Sequence, residues 1–357
     1  MTRQGSSPET IRLVPPKRRT MSLALLLAML SLMLVFAPDV LLIIFAGLLF
    51  GIFFGGGGDW LANRLGLERG WGIALFALLI VLVLVGAGLA FAPAVAEQFD
   101  RLTEEIPSAI ESLRERLEEY AWGEELLRRV TPSALMSNGG EGAAATAVTT
   151  TFGALGNFVI MLFVGLYVAL NPGAYRRGVL SLLSPSLRPT GEEMLRKSTD
   201  TLKNWLIAQL MAMAVVGVLT WMGLWLVGVP LAPVLGLIAA LLAFIPNIGP
   251  IIAAVLAVLL ALSDGLTTVL LVVGVYVAVQ TLESYAITPL LQQERVSLPP
   301  ALIISMQLLM GVLFGVLGLA LATPMAALGL TVIREAYVER YLEEESGAER
   351  PPADGAG

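Results

Sequence analysis

Apolar residues come in long runs along this chain, separated by short breaks rich in proline, glycine or charge. The first three runs are Met21–Ala37, Val40–Gly56 and Trp71–Phe91. Each falls in the range of about 17–25 residues that crosses a bilayer as a helix. Three membrane helices are therefore predicted within residues 21–92, with Pro38-Asp39 as the first turn. A fourth run, Phe152–Leu170, stops at Asn171-Pro172-Gly173, and a fifth covers Trp205–Val227. Pro189-Thr190-Gly191-Glu192-Glu193 opens a helix with acids in its first turn, and that helix is expected to run on into the fifth span. The seventh span is Leu266–Tyr285. Two further apolar segments, Val234–Leu262 and Ala301–Ile333, are longer than one ordinary span. The second holds Gly311, Gly315, Gly318 and Pro324, and reads either as one tilted helix or as two shorter ones.

Residues 94–146 follow another rhythm. Leu102, Ile106, Ile110, Leu113, Leu117 and Tyr120 recur at three- and four-residue steps, the stripe of an amphipathic helix, with Pro107 dividing it. Eleven acidic and five basic residues in this segment account for the whole net charge of −6. An acidic polar face is the opposite of what a membrane-surface helix usually carries. The stripe is expected to pack on the protein itself or on a sister subunit, outside the membrane. Residues 93–151 thus form an external helical region, with Ser137–Thr151 as a linker rich in Gly, Ala and Thr.

Charge gives the orientation. Arg12, Lys17, Arg18 and Arg19 precede the first run, and residues 174–203 carry six basic against three acidic side chains. Basic loops stay in the cytoplasm. With eight spans both ends are cytoplasmic, residues 1–20 and 336–357 being polar tails around a core at 152–335 with its loop at 171–203. A cleaved signal peptide is the lesser reading of the N-terminus, because another hydrophobic run follows at once.

Composition agrees. Only 14% of the 357 residues are charged and 57% are hydrophobic, with a mean hydropathy of +0.81; soluble domains carry about 25% charged residues. The fold class is all-α, a polytopic integral membrane protein of about eight transmembrane segments, with broken or re-entrant helices in the C-terminal half and an amphipathic helical extramembrane region; either long segment, 234–262 or 301–333, is a span or a re-entrant hairpin, and a hairpin changes the parity. Its partner is the lipid bilayer. There is no Cys and no His, which excludes disulfides, thiol chemistry and imidazole acid–base catalysis. No phosphate loop is present: the run Gly55–Gly58 lacks the Lys and Ser/Thr that would follow. Nothing points to a cofactor, a metal, nucleic acid or an enzyme.

The stretch Ala243-Phe244-Ile245-Pro246-Asn247-Ile248-Gly249-Pro250 breaks the sixth apolar segment. Proline lacks an amide proton and clashes with the preceding turn, so two prolines around Asn-Ile-Gly leave backbone groups without helical partners. In hydrocarbon such backbone persists only when buried in protein or lining a watery cavity. The break is either a turn between helices near the surface or part of a solute path. Glu283 is the leading ionisable candidate inside an apolar run, with Gln280 about one turn earlier on the same face. It reads as a titrating group in a pathway or as an interfacial carboxylate capped by Arg295. Asn204, Gln209 and Gln307 read first as amides bonding helix to helix. Gly47, Gly51 and Gly55 form a double small-xxx-small repeat for helix packing.

Phe244-Ile245-Pro246-Asn247-Ile248-Gly249-Pro250, then Gln280 and Glu283 followed by Thr288-Pro289, then Val296-Ser297-Leu298-Pro299-Pro300, occur in an order that resembles the autoinducer-2 exporter family of bacterial membrane proteins. The likeness covers residues 20–335 and is specific within 230–325. Ser284, where relatives often have Asn, and Asn247, where an aromatic is common, are departures that bear on substrate preference. The resemblance implies a homo-oligomeric secondary carrier of the inner membrane. Some members export the furanone-type signal autoinducer-2, and others resemble sodium or lithium/proton antiporters. The expected site gathers Pro246, Asn247, Gly249, Pro250, Gln280, Glu283, Pro289, Arg295 and Pro299 around a small polar solute, with a proton or sodium ion as coupling partner. Monovalent cation/proton antiport and a non-transporting scaffold built on the external region are the alternatives.

Overall fold

The structure, a computed structural model, describes residues 28–29, 31–34, 36–83, 85–90, 93, 141–229, 231–261, 264–287 and 299–335, without the side chains of 141–152, 154 and 287. The external stripe, most of the first span and both polar tails fall outside the described residues. Every regular element described is helical.

Helix α1, Pro38–Leu65, starts with its proline in the first turn, where a missing amide proton costs nothing. It ends at Gly66, whose φ of 68° lets its amide close back on the Ala62 carbonyl. Helix α2, Arg69–Ala90, follows at once. Helix α3, Glu141–Leu170, lies against α1. The glycine repeat explains how close they come: a Cβ at Gly47 would sit 2.6 Å from the Val164 side chain, and one at Gly51 2.9 Å from Val168. Gly165 answers from α3: a Cβ there would lie 2.5 Å from the Phe50 side chain and 3.0 Å from the Gly47 carbonyl. Residues 141–151, expected as linker, are already helical, in keeping with the helix propensity of their alanines.

At Asn171 the chain bends by 92° into α4, Pro172–Ser181. Helix α5, Arg188–Leu226, runs unbroken for 39 residues, roughly 58 Å at 1.5 Å per residue. That exceeds the hydrocarbon core of about 30 Å, so its charged N-terminal half projects beyond the apolar zone while Trp205–Leu226 can cross it.

The sixth apolar segment is two helices, α6 (Ala232–Leu242) and α7 (Ile248–Ala261). Neither reaches across the bilayer: 11 and 14 residues give about 16 and 21 Å. They pack on each other and share one core, in which Leu235 and Ala239 meet Ala253, Ala257 and Ala261. The segment is therefore a helical hairpin with its tip at 243–247. Helix α8, Leu266–Leu282, packs beside α7 and passes into a π-helical turn at Glu283–Ile287.

The last segment, α9 (Pro300–Ile333), also reverses. Gly315 has φ 61° and ψ −143°, a conformation outside any helix. A Cβ at Gly311 would lie 2.7 Å from the Leu319 side chain, and one at Gly318 would overlap the Met310 carbonyl. Residues eight apart in a straight helix are about 12 Å apart, so the limbs 300–314 and 316–333 fold back on each other. The second limb joins α1 and α5 through Leu321, Leu42 and Leu202. Its end is tied to α5 by a Lys197–Glu335 ion pair and by a Thr331–Thr201 hydroxyl bond.

Five described helices are long and apolar enough to cross a membrane, or six if the pair bent at Asn171 is one span. The protein is a polytopic all-α membrane protein. Of the eight apolar segments expected, the first lies largely outside the described residues, and the two long C-terminal ones take the re-entrant form, each a helical hairpin.

Candidate functional site

The tip of the first hairpin is where the chain's backbone needs the most help. Pro246 and Pro250 cannot donate, and the turn leaves carbonyls that no helix satisfies. Local bonds account for part of it: Phe244 N to Leu241 O, Ile245 N to Leu242 O, Ile248 N to Pro246 O at 2.8 Å, and Gly249 N to Ile245 O at 2.9 Å. Two side chains supply the rest. The amide of Gln209, on α5, donates to the Ala243 carbonyl at 2.8 Å. The amide of Gln307, on α9, donates to the Pro246 carbonyl at 2.7 Å. Gln307 is only 3% exposed, so its bond is made in a dry setting, beside the one the same carbonyl accepts from Ile248 N. Phe244 stands edge-on to Trp205 with ring centroids 5.9 Å apart, which steadies the tip from the α5 side.

Each residue of the break has a distinct part. Asn247 adopts φ 65°, in the left-handed region that Asn tolerates better than most residues. Its side chain is exposed and makes no hydrogen bond among the described residues. Gly249 is buried, and a Cβ there would overlap the Leu242 carbonyl, so only glycine closes the hairpin this tightly. Pro246 and Pro250 are half-buried on either side.

Gln280 and Glu283 form a pair of their own. The Gln280 amide donates to Glu283 Oε2 at 2.9 Å, and both are half-buried. Glu283 opens the π turn, the kind of wide turn that often marks a functional site. Helices α7 and α8 run back to back from the connection at 262–265. Counting about 1.5 Å per residue from it puts Asn247 and Gln280 at a similar depth, about 21–24 Å along. Pro299 caps the first limb of α9 with φ −58° and ψ 131°. Gln307, which reaches the break, sits two turns further on. Pro289 and Arg295 lie outside the described residues.

Sequence reasoning placed Gln209 and Gln307 among helix-to-helix amides. Their partners are backbone carbonyls 34 and 61 residues away. The available signal was an amide standing alone in an apolar helix opposite a break that needed donors.

Two helical hairpins set among long spans, the tip of the first bonded by amide side chains from α5 and from the second hairpin, define a polytopic membrane protein with an irregular, partly polar break. The model described as "AI-2E family transporter" matches residues 23–338, nearly the whole chain, and the protein belongs to that family. Among curated proteins it is similar to "Putative transport protein YueF" of Bacillus subtilis, 26% identical over 51% of this chain and 50% of the relative. It is also similar to "Putative transport protein YrrI" of the same organism, 28% identical over 46% of this chain and 47% of the relative. A "Putative transport protein" of Thermotoga maritima is 24% identical over 69% and 75%. The chain thus spans about half the length of the first curated relatives it matches.

Proposed function

We propose that this protein is a secondary transporter of the bacterial inner membrane that exports a small polar organic solute. Autoinducer-2 is a candidate substrate, and both chain ends lie in the cytoplasm. The observation that carries the reading is the tip of the first hairpin, where an exposed Asn247 amide, without a partner among the described residues, stands on a break held in place by Gln307 of the second hairpin. An amide offers two donors and an acceptor, a fit for hydroxyl and carbonyl groups. Pro246, Gly249 and Pro250 shape that tip. Glu283, held by Gln280, binds a coupling proton or sodium ion, or a donor on the solute. Pro289, Arg295 and Pro299 belong to the link that closes the site, and the working unit is a homo-oligomer.

The test is flux into proteoliposomes from a panel of small polar solutes. Glu283→Gln keeps the size and the hydrogen bond to Gln280 but removes the charge, so transport should fall at least tenfold while the protein stays folded. Unchanged flux in that variant would remove Glu283 from the mechanism. A second reading, monovalent cation/proton antiport, is favoured by Glu283 being a half-buried carboxylate inside an apolar helix. It predicts sodium flux driven by a pH gradient with no solute present.

A further inference from the structure

Helices α1 and α5 leave an open groove of about 250 Å³ between them. Helix α1 contributes Ile52, Phe53 and the Gly56–Gly57 pair, and α5 contributes Leu206, Leu210 and Lys203. The floor is apolar and the one charge is the ammonium of Lys203. A Cβ at Gly56 would find no heavy atom within 4 Å, so this glycine opens space that nothing else among the described residues fills.

The groove sits where both helices change character. Helix α1 is apolar from Val40 up to the glycines and then carries Asp59 and Arg64. Helix α5 is charged from Arg188 to Lys203 and apolar after it. The polar–apolar boundary of the membrane therefore crosses the groove. Trp60, one turn past Gly56 and 64% exposed, is the residue type that gathers at this level. Lys203 is exposed and has no ion pair among the described residues. The nearby acids are engaged elsewhere: Asp59 holds Arg69 at 2.8 Å, and Asp200 faces Arg196 at 3.7 Å.

An apolar cleft with an uncommitted cation at its polar rim, at the depth of lipid headgroups, matches one class of ligand. We propose that the groove binds an anionic phospholipid, with part of an acyl chain along Ile52, Phe53, Leu206 and Leu210 and the phosphate on Lys203. A soluble anion would have no use for the apolar floor. A zwitterionic lipid brings a positive group of its own and gains less from Lys203. The inference does not depend on the transport reading, since it concerns a different face of the molecule from the hairpin tip.

The test is lipid retention by the purified full-length chain in detergent, read by native mass spectrometry during titration with dioleoyl phosphatidylglycerol or dioleoyl phosphatidylethanolamine. The wild type should retain phosphatidylglycerol about fivefold more tightly, the increment expected of one basic side chain near a headgroup. Lys203→Gln should abolish that preference and Lys203→Arg should preserve it. Gly56→Leu should fill the groove and lose the retained lipid. Equal retention of the two lipids by the wild type, or an unchanged preference in Lys203→Gln, would overturn the proposal. The Lys203 variants decide the matter even if Gly56→Leu perturbs the fold.

Discussion

Gln307 shows what a single amide does in a dry protein interior. Its bond gives the Pro246 carbonyl a second donor beside the Ile248 amide, and ties the second hairpin to the tip of the first. Replacing it by Leu keeps the volume but removes one of the two donors to that carbonyl, leaving the Ile248 amide, with an expected loss of about 0.5–1.5 kcal/mol. The measurement is thermal unfolding in detergent, where Gln307→Leu should melt below the wild type; an unchanged melt would mean the Ile248 amide alone suffices for that carbonyl. The break itself could be read directly from the spacing of Pro246, Gly249 and Pro250, because each residue type forces a backbone outcome. The amides that complete it could not be assigned partners that way. Gln209 and Gln307 bond to main-chain oxygens, and a main-chain oxygen leaves no mark on the identity of the residue that carries it.

At the scale of elements, both long apolar segments of the C-terminal half are hairpins. Their apolarity was plain, but a hairpin and a full span have the same composition. The reversal has to come from local backbone geometry. Gly249 closes the first hairpin by lacking a Cβ, and Gly315 turns the second by adopting a conformation essentially reserved for glycine. Gly315→Ala should therefore cost on the order of 1–3 kcal/mol, seen as a lowered melting temperature. Gly329→Ala, in the second limb with open space around it, should be neutral or better and serves as the control. The glycine repeat at Gly47, Gly51 and Gly55 was legible as packing because a four-residue spacing of small side chains has one main use between helices. Gly47 and Gly51 make that contact with α3, while Gly55 approaches only the Arg69 guanidinium.

For the whole molecule, the two hairpins bear on which side of the membrane each loop occupies. Eight full crossings, and six crossings with two reversals, both return the chain to the side it started from. A count of apolar segments thus predicts cytoplasmic ends whether or not the hairpins exist, since an even number of errors cancels. The loops between the hairpins do not share that protection. If Val234–Leu262 crossed the membrane, Asp264 would face the cytoplasm and Pro299 the outside. With both segments doubling back, the two exchange sides. The protein has no cysteine of its own, so Asp264→Cys and Ala301→Cys can each be probed as the sole thiol. A membrane-impermeant maleimide applied to intact spheroplasts should label Asp264→Cys and spare Ala301→Cys, and the reverse pattern would restore eight crossings. Gly249 and Gly315 act, in this sense, as a matched pair of sign changes: losing one alone would strand everything downstream of it on the wrong face of the bilayer.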